Sequence, residues 1–378
     1  MLDPTPNPTY PTDLCNALTE LGLDVVFVTS RDYQHASRAR FRVRAVAPPS
    51  VRGRYLTKAA DECRYVALAA KLVHQWRPDV VHIQFPRARI EILALAALRL
   101  TRTPVVWTAH NVMPHDPRRL DWLYYRATYR LVDGLIVHTN QARDLLLHRF
   151  PIWPEVVSVI PHGNYESLPH RLLPAEEARA RLEVPADAIV LLFYGILRPY
   201  KGYDELLEAF VMASERASHA VLIIAGRAFS TEAQQLTSRV ASLPRRIRDR
   251  IRLHVPTHCY LDQDVTDQLF SAADVVTLPY REITQSGVLF QAFSYGRPVL
   301  ASAVGGFAET VIEGVNGYLF RQGDLQNLAD RIVELSQDRQ RLVECGNRAR
   351  ERARSENDYT RIAALTRDVY QIAIGARR

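Results

Sequence analysis

The chain has 378 residues, a formal net charge of +7, 47% hydrophobic and 24% charged residues. That length exceeds one ordinary domain, and that composition excludes disordered and collagen-like chains. The longest apolar runs, 90–98 and 188–197, fall short of the roughly 20 residues a membrane-spanning helix needs, and the opening MLDPTPNPTYP lacks the basic patch and apolar stretch of a signal peptide.

A cytoplasmic protein is therefore expected. Cys15, Cys63, Cys259 and Cys345 have no CxxC spacing, which points to reduced, buried thiols rather than a zinc site or disulfides. Residues 1–165 hold 21 Lys and Arg against 14 Asp and Glu, and the remainder is balanced. The excess is densest at Arg38, Arg40, Arg42, Arg44, Arg52, Arg54 and Lys58, in a stretch from 33 to 60 without an acid. Such a stretch is either a solvated loop or a surface for anionic lipid at the inner face of a membrane or for a diphosphate-bearing acceptor. No nucleic-acid-binding module accompanies it.

In chain order, Met1 and Leu2 begin a first strand that is either very short or starts upstream of Met1. Strands follow at 24–30, 79–85, 104–110, 134–139 and 157–162, with helices at 59–76 and 88–100. After a Pro-punctuated join at 164–186, strands recur at 188–195, 220–226, 251–256, 274–280 and 297–302, again with helices between them. The alternation predicts an α/β chain of two doubly wound, Rossmann-like domains facing across a cleft, with ligands beyond the carboxyl ends of the strands. The expected division is 1–165, 166–358 and a last amphipathic helix in 359–378 that returns to the N-terminal domain.

LLFYGILRPYKGYDELLEAF (191–210) ends a strand at Gly195, carries Arg198 and Lys201 on a loop, and starts a helix after Gly202. Two cations beside a helix N-terminus suit a diphosphate, whose negative charge grows when it departs as a leaving group. In DVVTLPYREITQSGVLFQAFSYGRPVLASAVGGF, Thr284, Gln285, Ser286, Gly287 and Val288 lead into a second helix whose first amides can meet phosphate oxygens. Ser286 is also a good N-cap. Gly305 and Gly306 permit a tight turn beside it. In the first half, His110 and Asn111 close a strand, with His115 and Asp116 a few residues on and His162 and Asn164 near the join. A histidine there can bind a hydroxyl or take a proton, and each of these groups can also serve only a turn. No HExxH, DxD, GxSxG or P-loop pattern appears where the fold would need it, so no metal or cofactor is required.

These segments, with PDVVHIQFP, TAHNVMPHD, LIVHTNQARDLLLHRF, VIPHGNY and NGYLFRQGDLQNLADRIVEL in order, resemble the family-4 glycosyltransferases of GT-B fold along nearly the whole chain. The resemblance implies transfer of a hexose from a UDP- or GDP-sugar to a hydroxyl of a glycan, lipid-linked intermediate or small molecule, with retention. It implies that Arg198 and Lys201 contact the donor diphosphate, that the loop before Gly287 embraces sugar and phosphates, and that Val255 lies beside the base. It also implies two glutamates eight positions apart. Here those positions are Ile283 and Gln291, with Glu282 one place off register. Two other readings stay open: a nucleotide-sugar epimerase on the same architecture and, because of this departure, a sugar-nucleotide-binding partner subunit without catalysis.

Overall fold

The computed structural model describes residues 1–5, 9–47, 55–84, 91–100, 102–114, 119–168 and 170–377. The chain forms two compact units, one of Met1–Gly163 with Asn357–Arg378 and one of Asn164–Glu356.

In the first unit, β1 (Leu2–Asp3), β2 (Val26–Ser30), β3 (Arg42–Ala47), β4 (Val81–Ile83), β5 (Val105–Thr108), β6 (Gly134–Val137) and β7 (Val157–Val159) form one sheet. Its order is β3-β2-β1-β4-β5-β6-β7 and every pairing is parallel. The two-residue β1 is central, with Leu2 opposite both Val28 and Ile83. The connecting helices are α1 (Thr9–Glu20), α2 (Tyr55–Trp76), α3 (Glu91–Leu100), α4 (Asp121–Leu131) and α5 (Asn140–Arg149). A strand at 42–47 was not expected. It is an edge strand whose alternating arginines, Arg42 and Arg44, give it the polarity of a loop.

The C-terminal helix, Tyr359–Gly375, belongs to this first unit. Its apolar face, Ile362, Ala363, Val369 and Ala373, packs with Val106 of β5 and Ile136 of β6. Glycine eases the close packing beneath it: a Cβ on Gly134 would make a tight 3.2 Å contact with Val369, and one on Gly163 would clash at 2.2 Å with the Tyr359 ring. Arg377 closes the helix end with two bonds of 2.7 and 2.9 Å to Asp133.

The second unit has β8 (Ile189–Tyr194), β9 (Ala220–Ala225), β10 (Ile251–His254), β11 (Val275–Leu278), β12 (Val299–Ser302) and β13 (Gly317–Phe320), all parallel, in the order β10-β9-β8-β11-β12-β13. Its helices are α6 (Ala175–Arg181), α7 (Tyr203–Ala213), α8 (Ser230–Ala241), α9 (Arg245–Arg248), α10 (Gln263–Ala272), α11 (Gly287–Ser294), α12 (Gly305–Thr310), α13 (Leu325–Ser336) and α14 (Arg339–Glu356). The six residues of β9 are all buried, as a parallel strand covered on both faces requires. In each sheet the strand order reverses once, between β1 and β4 and between β8 and β11. Ligands of such sheets bind at the carboxyl ends beside that reversal.

Arg179 and Asp274 form a buried bidentate pair at 2.9 and 2.8 Å, and Asp274 also accepts from the Val190 amide at 2.7 Å. Asp274→Ala leaves a buried guanidinium uncompensated and is expected to cost the second unit about 3–5 kcal/mol, read from urea unfolding. Two cysteines correct the sequence expectation: Cys15 and Cys345 are buried, but Cys63 and Cys259 are exposed. Among the described residues no helix is long and apolar enough to cross a membrane.

Candidate active site

In the second unit, β8 ends at Gly195, whose φ of +125° is open to glycine alone and whose amide bonds the Ala225 carbonyl at 3.0 Å. The chain then makes a short 3-10 turn, Pro199–Lys201, and Gly202 (φ +66°) turns it into α7. The turn folds the Lys201 side chain inward. Lys201 is only 9% exposed, and its Nζ stands 5.2 Å above the Tyr280 ring. A Cβ on Gly195 would approach Nζ to 2.9 Å and Val288 to 3.5 Å, so Gly195, Lys201 and Val288 converge on one spot. Arg198 lies 4.4 Å over the Phe229 ring. Arg227, just past β9, lies 5.0 Å over Tyr260 and 6.0 Å over Phe229.

Among the described residues none of these three cations has an ion-pair partner, whereas Arg179, Arg350 and Arg377 hold carboxylates at 2.7–2.9 Å. Arg227 Nε is buried without a hydrogen-bond partner. Burial lowers the Lys201 pKa, opposed by Tyr200 and reinforced to a lesser extent by Arg198. A buried ammonium without a counter-ion is a costly arrangement that an anion would relieve. Arg227 was not anticipated from the sequence; a basic residue following the glycine that ends β9 was the available signal.

The loop after β11 carries the second group. Ile283 is buried, and its carbonyl accepts from the Gly306 amide at 3.2 Å. A Cβ on Gly305 (φ +53°) would fall 1.5 Å from that carbonyl, so the two loops interlock only because residue 305 is glycine. Ser286 precedes α11 in an extended conformation, but its hydroxyl makes no capping bond. Its amide instead donates to Gln285 Oε1 at 3.2 Å. The first amides of α11, on Gly287 and Val288, have no acceptor within the helix. Thr284 and Gln291 are part-buried. Glu282 is exposed. Val255 packs part-buried against the core at the end of β10.

The first unit gathers histidines at the ends of β4, β5 and β6. Tyr370 Oη lies 2.6 Å from His82 Nδ1, Gln84 Nε2 lies 3.2 Å from His82 Nε2, Gln84 Oε1 lies 2.9 Å from His110 Nε2, and His110 Nδ1 lies 3.1 Å from His138 Nε2. His138 Nδ1 donates to the Ile160 carbonyl at 2.9 Å. Burial pushes His82 down to about 3, His138 to about 4 and His110 well below its ordinary value. With every ring neutral, the Ile160 carbonyl fixes the tautomers in sequence. His138 donates from Nδ1 and accepts at Nε2, so His110 donates from Nδ1 and accepts at Nε2 from the Gln84 amide nitrogen. The Gln84 amide then takes the orientation that reverses its oxygen and nitrogen. Both nitrogens of His110 are thereby engaged.

His162 is buried in the same cluster, 4.8 Å from Tyr10 between ring centroids, and donates from Nδ1 to the Gly163 carbonyl at 2.7 Å. Asn111 follows His110. Asn164 belongs to the second unit, where its amide donates to the Ala353 carbonyl and its oxygen accepts from the Glu166 amide. His115 and Asp116 lie outside the described residues, as do Arg52 and Arg54. Within the basic stretch, Arg38 pairs with Asp13 at 2.5 Å, Arg42 with Asp24 at 2.5 Å, and Arg40 with Glu20. Arg44 lies 5.9 Å over Trp76. Much of that charge is neutralised by acids in and just after α1.

Residues 188–338 match the family model described as Glycosyl transferases group 1, and residues 8–164 match the one described as Glycosyltransferase Family 4. The chain belongs to the family-4 glycosyltransferases.

It is similar to a GDP-mannose:glycolipid 4-beta-D-mannosyltransferase of Xanthomonas campestris pv. campestris, with 28% identity over 65% of this chain and 69% of that one. Among solved structures it is similar to a sucrose-phosphate synthase from Thermosynechococcus elongatus, with TM-score 0.78, 22% identity, and coverage of 97% and 93% of the two chains. It is also similar to HepE of Anabaena in complex with UDP and glucose, with TM-score 0.75, 20% identity and 98% of each chain covered. These structures establish the GT-B fold for this glycosyltransferase.

Proposed function

We propose that this glycosyltransferase moves a hexose from a GDP- or UDP-sugar to a hydroxyl of a glycan, a lipid-linked intermediate or a small molecule, with protein cations rather than a metal balancing the leaving diphosphate. The observation that carries the reading is Lys201, a buried cation with no counter-ion among the described residues, near Arg198 and Arg227, which likewise have none among them. Such cations, with Lys201 converging on Val288 in the first turn of α11, fit a diphosphate and stabilise it most when its charge is greatest, in the transition state. The mannosyltransferase relative favours a guanine nucleotide, and the HepE complex favours a uracil one. Retention is what the family resemblance implies, and it relies on a donor-side glutamate position that here holds Ile283.

Incubating the purified chain with GDP-mannose and UDP-glucose tests the reading. Release of a nucleoside diphosphate from one of them is expected. Nucleotide binding without release would favour the partner-subunit reading, for which the loss of both glutamates is the specific observation. Gln291 is proposed to contact the donor ribose, so Gln291→Ala is expected to weaken nucleoside diphosphate binding by about 0.5–1.5 kcal/mol in calorimetry. Parental affinity would make Gln291 a packing residue.

A further inference from the structure

We propose that the outer face of α4 is a docking surface for an anionic lipid bilayer. Leu120, Trp122 and Leu123 enter the bilayer surface, and Arg119, Arg126 and Arg130 lie on the headgroup phosphates. α4 joins β5 to β6 in the first unit, and its core side is complete without these residues. Tyr125 and Tyr129 pack on Trp107 with ring centroids 6.4 and 5.8 Å apart, Thr128 is buried, and the Tyr129 hydroxyl donates to the Val112 carbonyl at 2.9 Å.

On the outer side, positions 122, 123, 126 and 130 fall within about 100° of arc, one stripe of the helix. Leu120 is 62% exposed, Leu123 54% and Trp122 40%. Single exposed apolar residues are ordinary, whereas a contiguous group marks a contact. The local sequence also works against the helix start in water. Leu120 occupies the N-cap position, where leucine is a poor residue, and makes no capping bond. Arg119, which precedes it, adds positive charge at the positive end of the helix dipole. An apolar layer bordered by phosphates turns both features to advantage.

Charge decides what covers this face. Arg119 and Arg130 are exposed, and Arg126 is part-buried with its guanidinium 5.0 Å over the Trp122 ring. Among the described residues none of the three has an ion-pair partner, whereas Arg38, Arg40 and Arg42 are each paired with an acid in or just after α1. The one acid of α4, Asp121, is buried. The face is therefore apolar at its start, basic along its length and without an exposed carboxylate. Tryptophan at headgroup level with arginines reaching to the phosphates is the arrangement of helices that lie in the plane of an anionic bilayer. Such a surface selects the lipid-linked acceptor among those named above. That consequence rests on the proposed transfer reaction, whereas the docking itself does not.

The test is sedimentation of the full chain with vesicles of phosphatidylcholine alone and of phosphatidylcholine mixed with phosphatidylglycerol. Binding to the mixed vesicles is expected, and it should weaken as salt rises. Arg126→Ser with Arg130→Ser should weaken it about 5-fold for each arginine removed, the equivalent of about 1 kcal/mol each. Leu120→Ser with Leu123→Ser should weaken it about 10-fold or more. Brominated acyl chains should quench the tryptophan fluorescence of the parent, and Trp122→Phe should remove that quenching. Arg40→Ser with Arg44→Ser should bind like the parent. Equal binding to both kinds of vesicle, quenching retained in Trp122→Phe, or parental binding by the folded α4 variants would overturn the proposal. So would a parent that ignores both vesicles and self-associates through α4, which would make the face a contact between copies. Nucleoside diphosphate binding by the same variants, measured without vesicles, should match the parent, so that a failed docking surface and a failed donor site are told apart.

Discussion

Lys201→Ala is expected to lower the rate constant for transfer by about 10²-fold or more, the loss seen when one preorganised electrostatic donor is removed. The reason lies in how the ammonium is held. Gly195 leaves room for Nζ, Tyr280 offers its ring face, and no carboxylate among the described residues neutralises the charge. Its field is therefore undiminished when the diphosphate gains charge on departure. The variant should fold, since removing an uncompensated buried charge relieves the native state. Steady-state kinetics with unfolding measured alongside check the prediction. Parental kinetics in a folded variant would remove Lys201 from the mechanism.

Gly226→Ala is expected to disable the same site through the backbone. Gly226 has φ +132°, a conformation essentially confined to glycine, and a Cβ there would fall 2.0 Å from the Gly195 carbonyl oxygen and 2.9 Å from its amide nitrogen. No flexible side chain can yield, so the ends of β8 and β9 must separate. The substitution should cost about 3 kcal/mol or more in urea unfolding, and nucleoside diphosphate binding should weaken with it. Binding should suffer because the displaced Gly195 loop carries Arg198 and Lys201 and the displaced end of β9 carries Arg227. Gly22→Ala is the control, since a Cβ there meets nothing within 4 Å while φ is likewise positive, at +86°.

The strands most legible in the sequence are those whose apolar runs are buried on both faces, such as β8 and β9. β3 was illegible because an edge strand tolerates arginine at alternate positions, and β13 because NGYLF is short and turn-like at its start. Arg198 and Lys201 could be read locally, since strand end, turn and helix start lie within ten residues. Gln84 and His138 could not, because each meets His110 across a neighbouring strand, 26 and 28 residues away in sequence. A two-residue strand carries almost no periodic signal, and only the three-dimensional sheet shows that β1 lies where the strand order reverses. The cap expected of Ser286 illustrates the limit of residue preference: its backbone is extended as a cap requires, yet its hydroxyl makes no capping bond.

The most direct measurement is calorimetric titration of the full chain with GDP and UDP, repeated on Lys201→Ala and Arg198→Ala. The central claim, that the unpaired cations at the ends of β8 and β9 hold a donor diphosphate, predicts saturable binding of at least one nucleotide. It also predicts a loss of about 10-fold or more in each variant, the scale of a charge-assisted hydrogen bond. Failure of the parent to bind either nucleotide, or binding unchanged by both substitutions, would contradict it.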